Sequence, residues 1–309
     1  MAISPDETPS RFLFVLGTGR CGSSLVHEVL ARHPHVGFVS NVEDNLPAPP
    51  AGGRWNNRLY SGMPARFTRK GRIRFAPSEG YRILEREVSP ILSTPFRDLT
   101  AEDVTPWLAR RFRGFFEARA LAQGRPAFLH KFTGWPRAGF VHGILPEARF
   151  LHVVRDGRAV VNSWLQMPWW LGYRGPWHWQ WGPLPEPYAR EWEASGRSFV
   201  LLAGLAWKLL LDAFEAAQAA VPANLWMEMR YEDFVSDPAG SLRRALDFAG
   251  LEWTAGFEAG VARHSFESGR RLSYRQELEP AHLRLLDSSL AGHLERFGYG
   301  TGEPSGSTA

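Results

Sequence analysis

The sequence predicts an α/β fold, a three-layer domain whose central sheet is mainly parallel. Short apolar runs of strand length alternate with longer segments that carry apolar residues at helical spacing. A glycine-rich run, GTGRCGSS from Gly17 to Ser24, follows the first apolar run and precedes the first helical segment. Because parallel strands need crossover connections, this alternation favours a parallel sheet covered by helices.

The elements follow in order along the chain. Strands are predicted at residues 11–16, 36–40, 127–132, 150–154 and 225–230. Helices are predicted at residues 25–32, 104–122, 199–219, 241–249 and 280–296, and another is predicted to begin near residue 158. We expect a single domain, residues 11–300, between a disordered N-terminus (1–10) and a disordered tail (301–309).

Composition excludes several classes of protein. The 309 residues have ordinary apolar and charged fractions, as in globular proteins. The longest apolar run, residues 199–211, is too short to cross a bilayer, and the polar N-terminus has no signal core. The single cysteine, Cys21, suits a reducing compartment, so we expect a cytoplasmic protein. Only three basic residues are lysines, Lys70, Lys131 and Lys208, so arginine is the default cation of this chain.

The glycine-rich loop is typical of an anion site. Its glycines let backbone N–H groups converge, and the next helix adds partial positive charge at its N-terminus. The nucleotide-triphosphate pattern GxxxxGK[ST] fails, because serine replaces its lysine. The dinucleotide pattern GxGxxG is satisfied by Gly17, Gly19 and Gly22, with Glu43 near the distance expected of a ribose-binding acid.

A third interpretation of this phosphate-binding loop is a site for one phosphate joined to one sulfate. Such a ligand carries less charge than ATP, so backbone amides, Arg20, Ser23 and Ser24 suffice without a metal. Cys21 is expected to fill the loop rather than to act as a nucleophile. A phosphatase loop would need an arginine where this chain has His27.

A second motif, FLHVVRDGRAVVNSWL, spans Phe150 to Leu165. A predicted strand leads into Arg155, and Ser163 lies about two turns inside the following helix. The arginine guanidinium can donate two parallel hydrogen bonds to phosphate oxygens, so Arg155 and Ser163 together can hold one phosphate. A local Arg155–Asp156 salt bridge with an unrelated helix serine is the alternative when the motif is taken alone.

Together the two motifs resemble those of the PAPS-dependent sulfotransferase family, in which PAPS (3′-phosphoadenosine-5′-phosphosulfate) donates a sulfuryl group. In that family a loop after the first strand holds the 5′-phosphosulfate, and an arginine and a serine eight residues apart hold the 3′-phosphate. The resemblance implies a bacterial-type, P-loop-like fold with PAPS as co-substrate and no metal. It assigns donor binding to Gly19, Arg20, Cys21, Gly22, Ser23, Ser24, Arg155 and Ser163.

The resemblance extends to two later segments. MRYEDFVSDPAGSLRRALDFAGL, from Met229, is similar to a family segment whose tyrosine, here Tyr231, lies against the nucleotide. SYRQEL, from Ser273, is similar to the closing segment, which implies that Arg275, with Arg270 and Arg271, covers the 3′-phosphate.

The resemblance also implies the chemistry. Lys131 occupies the position of the catalytic lysine, which stabilises charge on the leaving oxygen, and Arg20 is the second candidate for that role. Some members use a histidine two residues after the lysine, but this chain has Thr133 there. Others use a glutamate after the second strand, where the strict register gives Asn41. We therefore expect the general base to be Glu43, followed by Asp44 and His130 as alternatives.

The acceptor, a hydroxyl- or amine-bearing molecule, is expected to meet the variable segments 45–122 and 164–197. Seven tryptophans lie between Trp164 and Trp192. They form either a lid for a glycan, lipid or aromatic acceptor, or a small core of their own. The arginine-rich residues 54–86 face either an anionic acceptor or solvent.

The same residues also bear on other partners and other functions. Nucleic acid is disfavoured, because the aromatic and basic clusters are separate, and no histidine or cysteine cluster has metal-site spacing. A Rossmann-type NAD(P)-dependent oxidoreductase remains an alternative through GxGxxG and Glu43. A non-catalytic nucleotide-binding module remains another, through Asn41 at the base position.

Overall fold

A computed structural model describes residues 11–46, 49–63, 67, 74–266 and 272–300 of the chain. Within these residues the core is a sheet of five parallel strands. They are β1 (Arg11–Gly17), β2 (Val36–Phe38), β3 (Ala127–Thr133), β4 (Arg149–Val154) and β5 (Trp226–Arg230). Their order is β2-β3-β1-β4-β5, which confirms the predicted α/β fold with a parallel central sheet.

The helices lie between and after the strands. In the described residues they are α1 (Ser23–Leu30), α2 (Asn41–Asn45), α3 (Asn56–Gly62), α4 (Tyr81–Glu87), α5 (Pro106–Gln123), α6 (Ala138–Ile144), α7 (Gly157–Leu165), α8 (Glu186–Ala194), α9 (Phe199–Ala219), α10 (Tyr231–Ser236), α11 (Pro238–Ala249), α12 (Ala255–Val261), α13 (Tyr274–Glu277) and α14 (Pro280–Arg296). Helices α9 and α14 have the predicted bounds. The predicted bounds of α1, α5 and α11 and the predicted start of α7 are within three residues of those observed.

The two faces of the sheet differ in what covers them. Successive side chains of a strand point to opposite faces. On β3, His130 packs with Phe14 of β1 and Phe116 of α5, at ring-centre distances of 6.0 and 5.0 Å. Lys131, the next residue, points to the other face and meets Ser24 of α1. Helices therefore cover both faces, as the predicted three-layer arrangement requires.

The strand order decides one of the alternatives. A dinucleotide-binding domain has the order 3-2-1-4-5, so the acid that follows its second strand reaches a ligand at the first strand. Here β3 lies between β1 and β2, which moves Glu43 one strand further from the loop. The Rossmann interpretation of GxGxxG with Glu43 is therefore wrong.

The strand order also locates the site. Strand β1 has β3 on one side and β4 on the other, so the direction of winding reverses next to it. In open α/β sheets, ligands bind at such a switch point, outside the carboxyl ends of the strands. The carboxyl end of β1 is the start of the glycine-rich loop.

Two further outcomes concern the rest of the chain. The segments predicted to be disordered, residues 1–10 and 301–309, lie outside the described residues. The arginine-rich residues 54–86 include the short helix α3 and most of α4. No helix among those that the structure describes is both long and apolar enough to span a membrane.

Candidate active site

The loop between β1 and α1 has the backbone that its glycines predict. Gly19 and Gly22 have φ values of 84° and 94°, and Arg20 between them has a φ of 57°. Several residues with a left-handed backbone conformation in close succession turn their backbone amides towards one point, as anion-binding loops require. Gly22 is also the N-cap of α1, so the positive end of that helix dipole adjoins the loop.

Lys131 lies beside this loop, near the carboxyl end of β3. Its Nζ is 2.6 Å from the Ser24 Oγ and 2.7 Å from the Glu79 Oε1. The lysine side chain is 4% exposed and that of Glu79 is 31% exposed. A nearly buried ammonium group thus lies between the first turn of α1 and an accessible carboxylate.

The structure brings the second motif to the same loop. Arg155 donates to the carbonyl oxygen of Arg20 at 3.0 Å, and the Arg20 Nε donates to the Ser163 Oγ at 2.8 Å. The Arg155 guanidinium lies 4.8 Å from the ring centre of Tyr231. Because the last residues of β4 and β5 are paired, the residues that follow them, Arg155 and Tyr231, emerge side by side.

These groups, except Ser163, line a cleft of about 850 Å³, and Ser163 reaches its wall through the hydrogen bond from Arg20. Predicted site residues in its wall are Gly19, Arg20, Gly22, Ser23, Ser24, Lys131, Arg155 and Tyr231. Five arginines and Lys131 line it together with two carboxylates, those of Glu28 and Glu79. The excess of cations suits an anionic ligand.

Two features of the loop fit a ligand that approaches the backbone closely. A Cβ at Gly19 would lie 3.0 Å from a Thr133 methyl group, and a Cβ at Gly22 would overlap the Tyr231 ring. The Thr133 Oγ1 and the Trp164 Nε1 are buried near the loop and have no hydrogen-bond partner among the described residues. Both polar atoms are therefore available to a bound anion or to water.

Gly22→Ala tests the close approach. We expect the left-handed φ to cost about 1–2 kcal/mol of unfolding free energy. Displacement of Tyr231 should also weaken binding of 3′,5′-adenosine bisphosphate about tenfold, equivalent to 1.4 kcal/mol. Gly196→Ala is the control, because Gly196 has a φ of 69° but a Cβ there would meet nothing within 4 Å. Equal affinities of both variants, measured by calorimetry, would contradict a role for this contact.

Glu43, the first predicted base, lies outside the cleft. Its carboxylate accepts from the Ser40 N and Oγ, both at 3.0 Å, and from Asn56. It also lies 3.9 Å from the Arg119 guanidinium, and the residue is 3% exposed. Glu43 closes a capping box at the start of α2, so its prediction as general base is wrong.

The two alternatives are also outside the cleft wall. Asp44 accepts from the Ser78 Oγ at 2.8 Å and from the Ile83 backbone N at 3.1 Å, which ties α2 to α4. His130 faces the aromatic core on the far side of the sheet. Burial, and then the charge of Lys131, lowers the pKa of His130 to about 3. Neither side chain is placed to take a proton from an acceptor in the cleft.

Glu79 is the carboxylate that the sequence did not single out. It reaches the cleft because Asn41, at the register expected for the base, holds a neighbouring segment instead. The Asn41 side chain donates to the Arg74 carbonyl at 2.6 Å and accepts from the Ala76 backbone N at 3.1 Å. Ser40 then forms a bridge with Pro77, which leaves Glu79 beside Lys131.

The remaining predicted donor-binding residues have different positions. Cys21 is buried, and a Cβ at Gly17 would overlap its Sγ, so Cys21 can contact a ligand only through its backbone. Arg275 is exposed on α13 and does not line the cleft, and its contact with the 3′-phosphate stays a prediction. Arg270 and Arg271 lie outside the described residues.

The tryptophan-rich segment forms both a small core and a wall of the cleft. Trp164 stacks with Trp181 at a ring-centre distance of 5.0 Å and with Trp170 at 6.2 Å, and all three are buried. Trp169 and Trp181 line the cleft. The interpretation as a small core is therefore confirmed for these tryptophans, and the role of the segment as a lid over an acceptor stays a prediction.

Comparison with known proteins agrees with this arrangement. A family model described as "Sulfotransferase family" matches residues 13–255, well over half of the chain. The chain therefore belongs to the sulfotransferase family, as its loop and second motif predict. A search of curated proteins found no match.

Solved structures with a similar fold include mycobacterial sulfotransferases. One is sulfotransferase STF9 from Mycobacterium avium, with 16% identity, a TM-score of 0.59, and coverage of 96% of this chain and 79% of that one. Another is sulfotransferase STF1 from Mycobacterium tuberculosis, with 16% identity, a TM-score of 0.52, and coverage of 86% and 76%. At these identities the similarity supports the fold alone.

Proposed function

We propose that this protein transfers a sulfuryl group from PAPS to a hydroxyl or amine group of an acceptor. The observation that carries the proposal is the hydrogen-bonded group Arg155–Arg20–Ser163 at one part of the loop, with Lys131 at another. This spread of cations suits a nucleotide with two separate anionic groups rather than a single phosphate. Membership of the sulfotransferase family supports it.

The residues of the cleft fit PAPS group by group. The loop amides, Ser23 and Ser24 would hold the 5′-phosphosulfate at the start of α1. Arg155 and Ser163 would hold the 3′-phosphate, with Arg20 between the two groups. The Tyr231 ring, beside Gly22, offers a flat face to the nucleotide.

The chemistry needs a cation and a base. As the acceptor oxygen or nitrogen bonds to sulfur, the bond from sulfur to the 5′-phosphate oxygen breaks, and the acceptor loses a proton. The Lys131 ammonium, next to Ser24, stabilises the charge that grows on the leaving oxygen. Glu79, within 2.7 Å of the same ammonium, takes the acceptor proton.

Recognition of the 3′-phosphate can be tested by binding alone. The wild-type protein should bind 3′,5′-adenosine bisphosphate more tightly than adenosine 5′-monophosphate by about 1.5–3 kcal/mol, the value of one charge-assisted hydrogen bond. In Arg155→Ala this difference should shrink, because the variant loses a phosphate partner. Thermal shift and calorimetry measure both affinities. Equal affinity of the wild-type protein for the two nucleotides would overturn the assignment.

The control for that variant is Arg190→Ala. Arg190 is an exposed arginine of α8 that pairs with Glu186 at 2.9 Å and does not line the cleft. The Arg190→Ala variant should bind both nucleotides with unchanged affinity.

Turnover itself is tested with radiolabelled PAPS and a mixture of phenols, alcohols, sugars and amines. Labelled product from at least one class is expected.

A further inference from the structure

A second, smaller cavity opens among the tryptophans next to the cleft. It has a volume of about 120 Å³ and is lined mainly by Trp169, Trp170, Trp179 and Trp181. Trp169, Gln180 and Trp181 also line the main cleft. Because these three residues belong to both walls, the small cavity adjoins the main cleft.

The walls of this cavity are held in place by close packing. Trp179 and Trp181 meet edge to face at 5.3 Å, and the Trp179 Nε1 donates to the Gly182 carbonyl. A Cβ at Gly172 would overlap the Trp170 ring, so only glycine allows the backbone at this position to lie against that ring. Trp164, at the centre of the cluster, is the residue after Ser163 on α7. The tryptophan cluster is thus anchored to α7, the helix that also carries Ser163.

The chemistry of the walls selects an uncharged ring. Indole faces and edges dominate the lining, and the only polar side chains in it, within the described part of the chain, are those of His178 and Gln180. A sugar subsite would need several side chains that fork to hydroxyl groups, and this cavity offers two. Flat aromatic rings gain by stacking and edge-to-face contact with indole.

The size of the cavity sets the size of the ligand group. An apolar cavity of about 150 Å³ in another protein binds benzene and stays dry. A cavity of about 120 Å³ that is open on one side therefore takes about one six-membered ring. The part of the ligand beyond that ring would lie in the main cleft.

We propose that the cavity lined by Trp169, Trp179 and Trp181 is an acceptor subsite that binds an uncharged aromatic ring. The inference rests on the proposed function and narrows its acceptor to ring-bearing alcohols and phenols. With the ring in this cavity, a hydroxyl group attached to it extends into the cleft towards Lys131 and Glu79.

The test uses Trp169, whose side chain is 42% exposed and so can be replaced with little cost to the core. With 2-naphthol as acceptor, Trp169→Ala should raise KM about tenfold through loss of one aromatic face, and kcat should change less than about twofold. Trp169→Phe should restore most of the affinity. Trp177→Ala is the matched control, because Trp177 is 72% exposed in the same segment and lines neither cavity.

A second measurement separates the subsite from the reaction. 2-Methoxynaphthalene has no hydroxyl group to accept a sulfuryl group, and its binding is followed by saturation-transfer NMR. Binding that Trp169→Ala abolishes, without turnover of any acceptor, would support the subsite and overturn the proposed function. Turnover without binding of this probe would support the function and overturn the subsite. Turnover of methyl glucoside with a KM that Trp169→Ala raises instead would replace the aromatic ring by a sugar.

Discussion

Lys131→Ala is expected to lower kcat by about 10²–10³-fold, the loss seen when one donor to a developing oxyanion is removed. Lys131 is the cation at the first turn of α1, 2.6 Å from the Ser24 Oγ, where the leaving oxygen would lie. Donor affinity should change far less, because the loop amides, Arg155 and Ser163 are intact. Steady-state kinetics give kcat, and calorimetry with 3′,5′-adenosine bisphosphate gives the affinity.

Lys131→Arg separates charge from shape. The lysine side chain is 4% exposed and is confined between Ser24 and Glu79, so the larger guanidinium cannot occupy the same place. We expect this variant also to lose most of its turnover. Lys208→Arg is the matched control, because the Lys208 side chain is 9% exposed and forms a 2.9 Å ion pair with Glu191 outside the cleft. Near-normal kcat in both Lys131 variants would assign the leaving-group role to Arg20.

The fold was predictable because its signals are local. Apolar runs in β1, β3 and β4, and helical periodicity in α9 and α14, are visible within a few residues of sequence. The grouping of the proposed donor-binding residues was predictable for the same reason. Glycines that tolerate a left-handed backbone lie directly before a helix, and an arginine follows a buried strand. The loop, Arg155 and Ser163 then meet because parallel pairing aligns the carboxyl ends of the strands.

The position of Glu79, the proposed base, was not predictable from the strand register, because long-range pairing decides it. A bridge from Ser40 and hydrogen bonds from Asn41 hold the segment that precedes Glu79, and the sequence has no pattern for either. The error on Glu43, in contrast, had a visible warning. The residues Ser40 to Glu43 read SNVE, the pattern of a capping box, which turns the glutamate back to the start of its own helix.

The position of Arg275 and the shape of the small cavity likewise depend on tertiary packing, which local sequence patterns do not predict. The segment SYRQEL matched the family motif, yet α13 packs against α7 through Glu277, which accepts from Asn162 at 2.6 Å, and leaves Arg275 exposed. Likewise, the density of tryptophans predicted aromatic surface but not its shape. The cavity depends on how Trp169, Trp179 and Trp181 pack together in three dimensions.

Glu79→Gln is expected to lower kcat by about 10²–10⁴-fold with benzyl alcohol as acceptor, the contribution of a general base. Glutamine keeps a side-chain oxygen that can accept from Lys131, but it cannot take up a proton. The loss should therefore appear in kcat rather than in KM for PAPS. Glu28→Gln is the control, because Glu28 is the other carboxylate in the cleft wall and forms an ion pair with Arg74.

A second acceptor distinguishes proton transfer from a structural role of Glu79. 4-Nitrophenol is a far stronger acid than benzyl alcohol and is largely ionised in a mildly alkaline assay, so there it needs no base to lose its proton. Glu79→Gln should therefore lose much less turnover with 4-nitrophenol than with benzyl alcohol, whereas Lys131→Ala should lose turnover with both. Glu79→Asp should recover part of the activity on benzyl alcohol. If Glu79→Gln lost equal activity on the two acceptors, Glu79 would serve only to position the ammonium group of Lys131, 2.7 Å away.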